Sequence, residues 1–282
     1  LGQTIAAGHL DYVPCSLFQP NTANRCANPQ DANWTSPFGF GSWAWEGSLL
    51  GAPLSGPGLT MIDPTYQYGF GRLQGILPPH TAGGFPGDYY VSGYNAAVGA
   101  AGLAGTKFRD QGILGYEFMI ADDQSGPFSW WESSSAPAPS PWVGNHPASG
   151  QGSSPHAWGM AGANKVLLDS LVAQRADGTL IVGRGVPSPW RGHDQTIAVS
   201  NFPTTAGRRT ALSITSASGG RAVTLTFPGG APGPVLFQLP AFLGNLSSAS
   251  AGHIDAANGT VSLPRGTRSV TVHLARAPSA TS

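Results

Sequence analysis

Two periodicities of apolar and polar residues divide the chain, and the change falls near residue 177. After it, the two types alternate. In RAVTLTF (221–227) Val223, Leu225 and Phe227 share one side, and Thr224 and Thr226 share the other. RSVTVHL (268–274) sets Val270, Val272 and Leu274 against Thr271 and His273, and TALSITS and GPVLFQLP read similarly. Turn signals SGG, PGG and PRG separate these runs, so residues 177–282 predict a β-sandwich. Before residue 177 the spacing is helical. In SSPHAWGMAGANKVLLDSLVAQRADG, Met160, Ala163, Leu167 and Leu171 fall at steps of three and four, and Leu168 and Val172 broaden the stripe. Ser153 or Ser154 is the expected cap, Pro155 suits the first turn, and Gly178 is the expected stop. Two further helices are expected over 88–105 and 106–123. Weaker ones are expected in FGFGSWAWEGSLLG and PTYQYGFGRLQGIL, where each glycine costs about 1 kcal/mol.

Composition adds bounds to this picture. The chain has 282 residues, enough for two domains of roughly 150 residues. Its 12 Phe, 8 Trp and 7 Tyr provide for a sizeable core, so the 40 Gly and 25 Pro are read as ordered loops and not disorder. Fourteen basic and fourteen acidic residues balance, and no basic run marks a nucleic acid or an anionic membrane as partner. A neutral or weakly charged ligand follows. No run of eighteen apolar residues occurs, so no membrane-spanning helix is expected. Cys15 and Cys26 lie in CSLFQPNTANRC, where they either close a loop as a disulfide or remain two thiols. With few lysines, the composition favours the disulfide and a secreted or periplasmic location. The chain starts at Leu1 without a signal-peptide pattern, which is read as a processed product, a trimmed chain or a fragment.

Candidate chemistry centres on the glutamates. There are three, Glu46, Glu117 and Glu132, and two directly follow a tryptophan, in SWAWEG and SWWESS. Burial against indole raises a carboxyl pKa, and sugar rings stack on indole faces, so Glu132 suits acid/base work on a glycan. The competing reading is an acid bonded to neighbouring backbone amides. Glu46, after Trp43 and Trp45, is either a second carboxylate or a helix residue facing polar neighbours. Glu117 reads as solvated or structural, and Asp88 as a helix cap. His146 and His156 flank the Glu132 loop as candidate substrate contacts, although lone loop histidines are more often structural. The seven histidines show no metal-ligand spacing, no GxSxG elbow is present, and no phosphate loop follows a strand. No metal and no cofactor are expected.

The acid-bearing aromatic loop, followed by SSPHAWGMAGANKVLLDSLV and a β-rich region, resembles the C-terminal part of bacterial (α/α)6-barrel glycoside hydrolases of the glucoamylase, trehalase and glucosidase-like group. The resemblance rests mainly on residues 126–172. It implies a mainly α plus all-β chain. Residues 1–176 would form the later part of an (α/α)6 helical catalytic domain, and 177–282 a C-terminal β-sandwich. It also implies Glu132 as the general base; the general acid is then expected outside this sequence, with Glu46 the contender within it. Trp130, Trp131 and Trp142 would line the sugar subsites, and Trp45, His146 and His156 are further candidate substrate contacts from their positions beside Glu46 and Glu132.

A full helical double ring needs roughly 200 residues even with short connections. The expected partners are therefore a carbohydrate substrate and a missing N-terminal half or companion chain. The leading expectation is a secreted, inverting glycosidase acting on a neutral oligo- or polysaccharide with two carboxylates. The alternatives are a polysaccharide lyase, for which Arg72, Lys107 and Arg109 are too scattered, and a non-catalytic glycan-binding protein.

Overall fold

The computed structural model describes residues 150–192 and 195–275 continuously, with 150–151 as strand alone. Before them it describes 84–85, 89–91, 103, 109–110, 112–113, 124–126, 129–134, 137–139 and 145–147. The chain divides into two units, Leu1–Leu167 and Leu168–Ser282.

In the first unit the described elements are short strands: β1 (Gly84–Phe85), β2 (Tyr89–Val91), β3 (Gln124–Gly126), β4 (Ser129–Trp130), β5 (Ser133–Ser134), β6 (Pro137–Pro139), β7 (Asn145–Pro147) and β8 (Gly150–Gln151). Four of them form one sheet in the order β1-β2-β5-β8, while β3-β4 and β6-β7 are separate pairs. The β5–β8 pairing sets Ser133 opposite Gln151 and Ser134 opposite Gly150. Helix α1 (Ala157–Leu171) follows, with its last four residues in the second unit.

The second unit continues without a loop into β9 (Val172–Gln174), β10 (Leu180–Val182), β11 (Thr196–Pro203), β12 (Arg209–Ala217), β13 (Ala222–Thr226), β14 (Val235–Phe237), β15 (Leu246–Ala249), β16 (His253–Asp255), β17 (Thr260–Leu263) and β18 (Ser269–Leu274). Two five-stranded sheets result, ordered β16-β17-β14-β10-β9 and β11-β12-β13-β18-β15. Only β10 and β14 run parallel among the paired strands of these sheets.

Alternation decides which side chains enter the core. Val223 and Leu225 of β13 and Val270 and Val272 of β18 are buried in one cluster with Val182, Phe237 and Val261 of the other sheet. Each such side chain contributes about 1.5–3 kcal/mol by leaving water. Phe237 meets Phe242 edge-on, with centroids 4.9 Å apart. On the opposite side of β13, Thr224 and Thr271 hydrogen-bond through their hydroxyls at 2.9 Å.

The end of α1 is sealed by the turn after β10. Gly183 N–H donates to the Leu171 carbonyl (2.8 Å) and Gly185 N–H to that of Ser170 (2.9 Å). Arg184 Nε donates to the Asp169 carbonyl at 3.2 Å. Its Nη2 lies 3.6 Å from Asp169 Oδ2, and the two side chains are only 1% and 4% exposed. Three carbonyls left open by the helix end thus find donors, and a cation sits where the helix dipole favours one. Gly183 adopts φ +82°, and an added Cβ would lie 2.6 Å from Leu239 Cδ2.

This architecture corrects the expected partial (α/α)6 barrel followed by a β-sandwich. Among the described residues, α1 is the one α-helix with defined bounds, residues 103, 109–110 and 112–113 are helical, and the rest is predominantly strand, including eight strands between residues 84 and 151. Residues 89–91, expected in a helix, are β2, which pairs with both β1 and β5. Alanine and glycine spacing there suggests a helix, but the aromatic and β-branched Tyr89, Tyr90 and Val91 favour an extended chain. The helix at 153–178 is also shorter than expected. It starts at Ala157 and stops at Leu171, because residues 172–174 pair with β10 and the 183–185 turn takes up the last carbonyls.

Candidate functional site

Glu132 lies between β4 and β5, where the β5–β8 ladder is prolonged by one residue. Its N–H donates to the Ser153 carbonyl at 3.0 Å. In return, Ser153 N–H donates to Glu132 Oε2 at 3.2 Å. The carboxylate is exposed, and Oε1 accepts no hydrogen bond from the described residues. Gly152, at φ +73°, makes this clasp possible: a Cβ there would overlap the Glu132 side chain.

Further bonds fix the surrounding backbone. His156 N–H donates to the Trp130 carbonyl at 3.0 Å. Ser154 Oγ donates to Ser125 Oγ at 2.7 Å, and Ser125 and Ser129 share a hydroxyl bond of 3.0 Å. His156 then caps α1. Its carbonyl accepts from Met160 N–H (2.9 Å), and its Nδ1 accepts from Gly159 N–H (3.2 Å). The expected caps, Ser153 and Ser154, bond instead to the Glu132 loop and to Ser125, and Pro155 precedes the cap.

The adjacent tryptophans separate. Trp130, in β4, is 3% exposed, so its indole offers no open face to a sugar, while Trp131 is half-buried. Successive residues of an extended chain point to opposite sides, so two neighbouring indoles cannot both line one surface. Trp158, in the first turn of α1, is 48% exposed, and its ring lies 5.9 Å from that of His156, edge to face.

Of the residues singled out from sequence, Glu132, Trp130, Trp131 and His156 are brought together here. His156 serves as a helix cap in this arrangement. Glu46, Glu117, Trp45 and Trp142, with Cys15 and Cys26, lie outside the described residues. For His146 only its strand, β7, is described. Sequence reasoning missed Ser153, Gly152 and Trp158. The available signal for Trp158 was a large aromatic among small and polar residues at a helix start; Ser153 and Gly152 gave none, being 21 and 20 positions from their partner.

The arrangement can hold one carboxylate oxygen by a backbone N–H and present the other to solvent beside aromatic surface. No salt bridge to Glu132 occurs among the described residues, and they contain no cluster of three or more potential metal ligands. No helix there is long and apolar enough to cross a membrane. No known family matches the chain, and no curated protein matches it.

Proposed function

We propose that the chain is part of a glycoside hydrolase acting on a neutral oligo- or polysaccharide, with Glu132 as the general base. The observation that carries this reading is the clasp on its carboxylate. Oε2 is oriented by Ser153 N–H, and Oε1 is left to accept a proton from water. A base must sit within hydrogen-bond reach of its proton and keep its aim, and a backbone donor on one oxygen provides that aim without neutralising the charge. Half-buried Trp131 and exposed Trp158 supply apolar surface of the kind on which sugar rings stack. The absence of a described cation beside Glu132 suits an uncharged substrate.

The reaction needs a second carboxylate as general acid, and Glu46 is the candidate in this chain. A gap of about 6.5–9.5 Å between the two carboxyl groups would admit the water of an inverting reaction, whereas about 5–5.5 Å would imply retention. The test is sugar release from a panel of neutral oligosaccharides by the full chain and by Glu132→Gln. Equal release by both proteins would remove Glu132 from the chemistry.

A second reading draws on Trp158. An indole 48% exposed at a helix start also suits a glycan-binding surface without catalysis. No release by either protein, together with tryptophan fluorescence that responds to sugars, would favour this reading over the hydrolase.

A further inference from the structure

A separate feature of the second unit concerns charge. At one end of the β11-β12-β13-β18-β15 sheet an open pocket of about 440 Å³ is lined by Arg208, Arg209 and Arg265, with Thr210, Gly230 and Gly266 among its other walls. Three segments far apart in sequence build it: the turn into β12, the loop between β13 and β14, and the loop between β17 and β18.

These loops are tied to one another by the backbone. Ala231 N–H donates to the Thr267 carbonyl (2.9 Å), Gly266 N–H to that of Ala231 (2.9 Å), and Phe227 N–H to that of Arg268 (2.7 Å). Arg268 Nη1 adds a bond to the Pro228 carbonyl at 3.1 Å. Gly230 packs so closely on Gly266 that an added Cβ would lie 3.2 Å from the Gly266 oxygen. On the third side, Thr204 N–H and Oγ1 both donate to the Arg208 carbonyl, at 2.8 and 2.9 Å, fixing the turn that carries Arg208 and Arg209.

No acid is among the described residues that line this pocket. All three arginines are exposed, and only Arg209 has a described side-chain partner, the Asn201 carbonyl at 2.9 Å from Nη1. Three like charges at one site repel each other, and nothing on the pocket wall offsets them. Among its described lining residues the wall carries no aromatic ring, which gives uncharged sugars no stacking surface there.

We infer that this pocket binds a dianionic tetrahedral oxyanion, as free phosphate or sulfate or as a phosphate monoester on a larger molecule. Guanidinium groups match such oxyanions with paired N–H donors, and a doubly charged ligand offsets more of the local repulsion than a single carboxylate. Thr210 adds a hydroxyl that can donate to an anion. This site is independent of the Glu132 loop and of the function proposed for it.

The test is calorimetric titration of the full chain at low ionic strength with inorganic phosphate, and separately with an oligosaccharide carrying phosphate monoesters beside its unphosphorylated counterpart. Saturable binding is expected, weakened about tenfold by Arg208→Gln and by Arg265→Gln singly, and falling as salt is raised. Comparable affinity for inorganic phosphate would identify the free anion as sufficient. Binding confined to the phosphorylated sugar would identify the ester as the source. No saturable heat with either probe, or heats unchanged in both variants, would overturn the inference. Exposed arginines tolerate replacement, and a melting curve for each variant checks that the fold is intact.

Discussion

Asp169 and Glu132 are both acids held by a chain segment remote in sequence, yet the two regions use that arrangement in opposite ways. Asp169 is buried against Arg184 at the end of a helix, inside a unit whose two sheets enclose a continuous apolar core. Glu132 is exposed, and its partner is a backbone N–H on the loop between the two-residue strand β8 and α1. In the first place a charge pair completes a helix end that apolar packing keeps dry. In the second, hydrogen bonds alone set the direction of a carboxylate that water can reach. The lesson is that fixing an acid need not close it off: Glu132 is held through one oxygen and keeps the carboxylate exposed.

Substitutions can break this comparison. The largest expected effect is on activity: Glu132→Gln lowers sugar release by about 10²–10⁴-fold while leaving the melting temperature unchanged. A parallel rate assay and thermal melt check both halves of that statement. Next is Arg184→Ala, which leaves the Asp169 carboxylate buried without its cation and reduces stability by about 3–5 kcal/mol in denaturant titration. An unshifted unfolding midpoint would mean that the pair is not part of what holds the helix end.

Gly152→Ala is expected to fall between the two kinds of effect. It strains a positive-φ position and pushes on the Glu132 side chain, costing about 1–3 kcal/mol locally. Activity should fall more than the melting temperature indicates; a loss of stability with full activity would separate the clasp from the chemistry.

The smallest effect concerns Asp177, whose carboxyl is held below its ordinary value of 3.8 chiefly by the backbone N–H of Thr179. A lowered folded-state value favours the native state above pH 3.8, and this contribution disappears as pH falls through the folded value. Because the group is largely solvent-exposed, the difference in melting between the protein and Asp177→Asn is expected to be slight at neutral pH and to shrink as the pH is lowered below 3.8.

Legibility in the sequence differed between the two regions for a physical reason. In 221–227 and 268–274 each strand buries one side only, so burial leaves its record as strict alternation: Val223, Leu225, Val270 and Val272 can be read directly. The strands between 124 and 151 are too short for a period to accumulate, and they are built from Ser, Pro, Gly and Gln. The same residues read equally well as loops between helices. Glu132 was conspicuous because acids are rare here and indoles precede it. Which indole turns inward was not, since Trp130 and Trp131 are chemically identical and the strand boundary decides between them. The pocket of Arg208, Arg209 and Arg265 was invisible for a third reason. Its residues come from three turns that only the sheet order brings together.

The β5–β8 pairing and the Glu132–Ser153 clasp also close the stretch between them at its base, with β6 and β7 paired inside it. A segment closed this way can change length at little thermodynamic cost, about 0.6 kcal/mol for a doubling. A change of length between residues 135 and 149 is therefore expected to leave the Glu132–Ser153 clasp in place. Under the proposed function, that makes this stretch the natural point for recombination or loop grafting, where new substrate preferences are acquired without rebuilding the catalytic group.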